Sequence, residues 1–199
     1  MPLFRTILFL VISYLVGSIS FAYFICRRFY NTDIRQYGSG NPGSTNVLRV
    51  LGVKPALMVF AADLLKGLLM VLLGRLFGGE NLALLSAIAV VIGHDWSIFL
   101  NFKGGKGIAT SFGVIIGLSP KIGLIVFIIG ITVIFLSRFV SLGSITAATS
   151  LPILLLVFKY PAKHVITGLV LGAIAVYRHK DNIERLLAGN ENKIGQRVR

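Results

Sequence analysis

IATSFGVIIGLSPKIGLIVFIIGITVIFL, residues 108–136, is apolar almost throughout, and its one charge, Lys121, follows directly on Ser119-Pro120. Proline cannot continue a helix's hydrogen bonding, so the stretch is either two short helices broken at Ser119-Pro120 or one long kinked helix. The choice decides how many times the chain crosses a membrane. It therefore also decides which of its polar segments share a side.

That a membrane is involved follows from the rest of the chain. Of 199 residues, 55% are apolar and 14% charged, and the mean hydropathy is +0.85. Soluble domains carry about a quarter charged residues. Further apolar runs fall at 6–26, 55–74, 82–102, 142–158 and 165–177. The first three reach the roughly 20 residues a bilayer requires; the later ones, with 108–118 and 122–136, must extend into their flanks or lie obliquely. Run 6–26 is too long for a signal-peptide core, and no small-residue cleavage site precedes Arg27-Arg28. Twenty Lys and Arg against seven Asp and Glu give a net charge of +13, but spread between apolar runs, which does not suit nucleic-acid binding. The single cysteine, Cys26, allows no internal disulfide.

Charge bias chooses between the readings of 108–136. With seven crossings, fourteen Lys and Arg fall on one side, Arg197 and Arg199 among them. Five fall on the other (Arg5, Arg75, Lys121, Lys159, Lys163), and Lys66 lies inside a span. With six crossings the count is nine against nine. The expected fold is all-α and polytopic, one domain over 1–199, with seven transmembrane helices, the N-terminus outside and the C-terminus cytoplasmic. Residues 31–54, 103–107 and 178–195 then share the cytoplasmic face.

The first of these holds GSGNPGSTNVLR, residues 38–49. Its glycines and proline forbid regular structure and let successive N–H groups converge on an anion, with Ser39, Gly40, Asn41, Gly43, Thr45 and Asn46 as candidate contacts. Ser44 or Thr45 can cap a helix covering 47–51, and Arg49 adds a fork-shaped donor suited to phosphate. The plainer reading is a capped turn between membrane helices. The second segment, FKGGKGIAT (102–110), looks like a phosphate loop: Gly104, Gly105, Lys106 and Gly107 run into a helix N-terminus. It lacks the Walker A glycine spacing, so nucleotide hydrolysis is not implied. A basic turn that only sets orientation would explain the lysines but not three glycines.

In the third, His179 and Asn182 are three apart and share a helical face, and Gly189 is a candidate C-terminal cap. His179 can act as acid or base near neutral pH, or only as a donor to an anion. Within the spans, Asp63 and Lys66 most simply neutralise each other, a structural role. His94 either lines a cavity or bonds a neighbouring helix, and the hydroxyls of Ser141 and Ser144 are placed to reach a substrate. Three scattered histidines and no acidic cluster give no metal site. No Gly-x-Ser-x-Gly elbow offers a serine nucleophile, so direct transfer between two bound substrates fits better than a covalent intermediate. A transporter of a phosphorylated metabolite is the rival reading, though alternating access should place polar groups toward both faces.

In order along the chain, GSGNPGSTNVLRVLG (38–52), GHDWSIFLNFKGGKGIATS (93–111), SLGSI (141–145), RHKDN (178–182) and GNENK (189–193) resemble the successive motifs of the bacterial acylphosphate-dependent glycerol-3-phosphate acyltransferases, the PlsY family. The resemblance implies transfer of a fatty acyl group from acyl phosphate to the 1-hydroxyl of sn-glycerol 3-phosphate. The products would be 1-acyl-glycerol 3-phosphate (lysophosphatidate) and inorganic phosphate, at the inner membrane and as a step of phospholipid synthesis. Carried over by motif, Ser39 and Arg49 match essential positions, and 104–107 with Lys106 match the glycerol-phosphate loop. His179 and Asn182 match the activity-critical pair, and Glu191 matches a structural acid. The implied partners are the two substrates and membrane lipid, with no cofactor, metal or nucleic acid, for a chain expected to act as a monomer. An acyl phosphate is already activated, so the protein need mainly hold two anions apart and align hydroxyl with carbonyl. The proton goes to His179 or to the departing phosphate. The sequence offers no evident carboxylate to raise the basicity of His179, which favours the phosphate.

Overall fold

Nine α-helices follow one another among the described residues, 2–195 of a computed structural model, and no strand is found among them. They are α1 (Leu3–Ser18), α2 (Phe21–Tyr30), α3 (Ser44–Leu51), α4 (Val53–Asp95), α5 (Ile108–Leu118), α6 (Pro120–Ser137), α7 (Val140–Val157), α8 (Ala162–Arg178) and α9 (Lys180–Leu187). Arg197 and Arg199, used in the charge count, lie outside the described residues.

The Ser119-Pro120 break is a reversal. Ser119 is extended, and its Oγ accepts from Ile122 N at 3.4 Å. Pro120 takes the first position of α6, where a missing N–H leaves nothing unpaired. Phe112 stacks on Phe127 with ring centroids 4.9 Å apart, and Gly123 packs against Ile116, so α5 and α6 run back along each other. At 11 residues α5 is about 17 Å long, well short of a bilayer's hydrocarbon core.

α4 reverses too. Gly78 and Gly79 leave helical geometry, Gly79 at φ +68°, and Gly74 of the first limb then packs on Ala83 and Ser86 of the second. The runs expected at 55–74 and 82–102 are these two limbs. Among the described residues, four stretches are long and apolar enough to cross a membrane: Leu3–Tyr30, Val53–Leu100, Pro120–Ser137 and Val140–Val157. Their outward faces carry large apolar side chains, Phe135 being 81% exposed and Leu136 75%, as a lipid-facing surface requires.

Run 6–26, expected as one continuous span, is interrupted. α1 ends at Ser18, Ser20 caps α2 by accepting from Tyr23 N at 3.3 Å, and the cause lies on α4. Lys66 Nζ donates to the carbonyls of Gly17 at 3.0 Å and Ile19 at 2.8 Å, supplying the positive group that a helix C-terminus favours. Lys66 also pairs with Asp63 at 2.7 Å and donates to His94 Nδ1 at 2.9 Å, tying both limbs of α4 to the end of α1. Val71, Ala87, Val90 and Val114 are buried between α4 and α5, in a core that Leu151, Val165 and Leu171 continue into α7 and α8.

Candidate active site

A cavity of about 530 Å³ opens where α3, α5, α7, α8 and α9 converge. Its polar lining is Ser39, Asn41, Gly43, Ser44, Thr45, Asn46, Arg49, Lys106, Gly107, Ser141, Ser144, His179, Asn182 and Glu191. Its apolar lining includes Leu57, Phe60, Phe112, Phe127, Ile131 and Ile134. Asp63 and His94 line it as well. The three polar segments thus meet in one chamber, and Gly40, Gly104 and Gly105 stay outside its lining.

The turn after α9 builds the innermost part. Gly189 at φ +71° donates to Leu186 O at 3.2 Å, and Asn190 N donates to Arg185 O at 2.8 Å, a Schellman ending that turns the chain back. Glu191 therefore returns beneath α9. Its Oε1 accepts from Asn182 Nδ2 at 2.7 Å and Ser141 Oγ at 2.9 Å, and its Oε2 accepts from Arg185 Nε at 2.7 Å. Burial would raise the Glu191 carboxyl, but these three donors hold it below its ordinary value. Asn182, its nitrogen thus committed, accepts a hydrogen bond from Lys106 Nζ at Oδ1.

Cations crowd this part. Burial, with Arg185 nearby, brings Lys106 down to about 8. Burial also lowers Arg49, whose Nη2 donates to Asn192 O at 3.3 Å. His179 is buried, and its Nδ1 lies 2.8 Å from the Ala175 carbonyl, so Nδ1 carries the proton and Nε2 is the unprotonated nitrogen. Burial pushes His179 down to about 4, and the Lys106 charge adds to the effect. The site is cationic where anions would sit, and its histidine is neutral above pH 5.

The first segment is arranged differently from expectation. α3 begins at Ser44, with Gly43 at the cap and no side chain capping it, so the hydroxyls of Ser44 and Thr45 do not cap the helix; both residues line the chamber. Asn46 is spent on the loop: Oδ1 accepts from Ser39 N at 2.9 Å, and Nδ2 donates to Ile34 O at 3.1 Å and Tyr37 O at 2.9 Å. It shapes the segment and has little left for a ligand.

The glycine loop departs most from a phosphate cradle. The N–H groups of Gly104 and Gly105 donate to Asp95 O at 3.2 Å and His94 O at 3.0 Å. Their carbonyls accept from Arg178, Nη2 to Gly104 O at 3.1 Å and to Gly105 O at 2.7 Å. A Cβ on Gly104 would overlap His94 O, one on Gly105 would overlap His94 Nε2, and one on Gly107 would come within 2.8 Å of Asp95 Oδ1. These glycines let the loop lie against the end of α4, and what they present to the cavity is Lys106. Ser144 Oγ donates within its own helix, to Val140 O at 2.9 Å. Sequence reasoning gave no role to Arg178 or Arg185. Nothing local marks Arg178, which acts on a segment that only the fold brings to it, whereas Arg185 meets Glu191 through the local turn at Gly189.

A model of the glycerol-3-phosphate acyltransferase family matches residues 7–189. The glycerol-3-phosphate acyltransferase of Thermoanaerobacter sp. (strain X514) is 50% identical over 188 residues, covering 94% of this chain and 95% of that one. That of Alkaliphilus metalliredigens (strain QYMF) is 48% identical over 192 residues, covering 96% and 97%. Among solved structures, crystal structures of PlsY (YgiH), an integral membrane glycerol 3-phosphate acyltransferase, superpose closely. Its glycerol 3-phosphate form gives a TM-score of 0.92 at 39% identity and its lysophosphatidic acid form 0.90 at 38%, each covering 96% of both chains.

Proposed function

Because the chain belongs to the glycerol-3-phosphate acyltransferase family, integral membrane acyltransferases of phospholipid biosynthesis, we propose that its acyl donor is acyl phosphate and that transfer to the 1-hydroxyl of sn-glycerol 3-phosphate is direct. The observation that carries this reading is one cavity lined both by cations, Arg49 and Lys106, and by a broad set of apolar side chains, which suits a phosphate-headed amphiphile beside a small phosphate.

Arg49 and Lys106 neutralise the two phosphates, with Ser39, Asn41, Gly43 and Thr45 completing the polar rim and the N-terminus of α3 adding its dipole. His179 Nε2 accepts from the attacking hydroxyl, and Asn182 orients Lys106. The hydroxyl oxygen bonds to the acyl carbon, the bond from that carbon to the phosphate oxygen breaks, and inorganic phosphate leaves. The hydroxyl hydrogen, held at His179 Nε2 before transfer, turns to a phosphate oxygen of the donor as that bond breaks and leaves with the phosphate: a histidine pushed down to about 4 by burial, with only a backbone carbonyl at Nδ1, is too weak a base to keep it. Glu191 acts structurally, through Asn182 and Ser141.

The α4 and α5–α6 reversals support seven crossings. In the same proposal the cavity is on the cytoplasmic side of the inner membrane, reached laterally by lipid, in a monomer of one domain. Phosphate release by purified protein is the test, with acyl phosphate supplied with and without sn-glycerol 3-phosphate and an acyl-CoA control alongside. Release that needs both substrates and disappears in Arg49→Ala is expected. Turnover with acyl-CoA alone would overturn the donor.

A further inference from the structure

We infer that Arg178 is the positioning residue of the acceptor site: by gripping the main chain of the glycine loop, it sets where Lys106 meets the phosphate of sn-glycerol 3-phosphate. The inference rests on the reading above and goes one residue beyond it. Arg178 Nε donates to Gly105 O at 3.1 Å, and Nη2 donates to the same oxygen at 2.7 Å and to Gly104 O at 3.1 Å. Its guanidinium carbon lies 5.3 Å from the centre of the Trp96 ring, which stacks on Tyr177 at 6.2 Å. Trp96 is itself held, its carbonyl accepting from Tyr14 OH at 2.8 Å.

The peptide groups before Lys106 are thus bonded on both sides, N–H to the end of α4 and C=O to Arg178. Lys106 leaves this clamp directly, and Asn182 catches its ammonium at the far end. Arg178 and Asn182 lie four residues apart across the junction of α8 and α9, with His179 at the junction, so one short piece of chain grips the lysine at its base and at its tip and also carries the histidine. Moving the Lys106 main chain relative to His179 strains the Arg178 bonds. A lysine at 178 has no planar fork to serve two carbonyls while lying over an indole.

The test uses the full chain, purified. Wild-type transfer is measured first; its absence would overturn the function, and its presence leaves Arg178 as the only question. Arg178→Gln and Arg178→Lys are then compared for kcat, for both KM values and for thermal midpoint. The expected result is a KM for sn-glycerol 3-phosphate raised about tenfold or more, with the KM for acyl phosphate within about twofold of wild type. Arg178→Lys should recover only part of the difference. A KM for sn-glycerol 3-phosphate that does not move overturns the proposal. So does a fall confined to the apparent kcat that tracks the fraction of folded protein, since unfolded molecules lower Vmax and leave both KM values unchanged. If Arg178→Gln does not fold, Arg178→Lys is read by the same criteria.

Discussion

Asn182 is bound to Glu191 across nine residues of chain, its Nδ2 donating to Oε1 at 2.7 Å, and this fixes which end of the amide faces Lys106. With the nitrogen committed to a carboxylate, only the oxygen is left for the ammonium. Glu191→Ala would leave Asn182, Ser141 and Arg185 as unpaired donors and free the amide to turn. The expected result is a loss of about 1–3 kcal/mol in stability together with a fall in kcat/KM, and Glu191→Gln should recover more of the stability than of the activity. Denaturation midpoints and steady-state kinetics on both variants check this. Wild-type behaviour in Glu191→Ala would refute it.

Lys106 predicts an alkaline limb. Burial, then Arg185, lower it to about 8, so it is an ammonium below that pH and a neutral amine above. A phosphate dianion binds the charged form, so the KM for sn-glycerol 3-phosphate should be lowest below pH 8 and rise about tenfold per unit above it. Bound phosphate favours the ammonium, so kcat should show the same limb at higher pH. Lys106→Arg, which stays charged, should remove the limb. A KM flat from pH 7 to 10 in the wild type would exclude Lys106 as the phosphate's counter-charge.

His179 separates two proton routes. Held down to about 4, it is neutral over the working range and gives wild-type activity no limb near pH 6.5. If the departing phosphate takes the proton, His179→Gln loses the hydrogen bond to the hydroxyl, an effect of about ten- to a hundredfold, and keeps the shape of the pH profile. Complete loss at every pH would make His179 the base.

The reversal at Ser119-Pro120 gives the seven-crossing topology a direct test. Lys54 and Lys159 lie on opposite sides of the membrane with seven crossings and on the same side with six. Lys54→Cys and Lys159→Cys, each in a Cys26→Ser background, are expected to react with a membrane-impermeant thiol reagent from opposite faces. Labelling from one face only would restore the six-crossing count.

Much of this architecture is legible in the sequence because each apolar run is long and the breaks are chemical: proline at 120, a glycine pair at 78–79. The interruption after Ser18 is not legible, because the ammonium that caps α1 comes from Lys66, 47 residues further along. The polar segments stand out by composition, yet their internal jobs are hidden. Asn46 looks like a ligand and is consumed by its own loop. Arg178 looks like an orienting charge and holds two carbonyls 73 and 74 residues away. A glycine cluster before a helix invites a phosphate reading, because the sequence does not show what lies behind it.

What lies behind it is the His94 ring, and that makes the glycines separable by experiment. A Cβ at Gly105 would overlap His94 Nε2, and the ring cannot retreat because Nδ1 is held by Lys66 at 2.9 Å. Gly105→Ala should therefore lower the thermal midpoint and displace Lys106 together, with stability and the KM for sn-glycerol 3-phosphate deteriorating in step. Gly79→Ala is the contrast: φ +68° with ψ −163° is backbone essentially confined to glycine, but nothing lies within 4 Å, so about 1–3 kcal/mol of backbone strain is expected with kinetics unchanged. The decisive reading is the pairing of stability with KM. Full stability in Gly105→Ala with acceptor binding abolished would mean that the glycines admit a phosphate to the main chain, and that the packing against α4 is incidental.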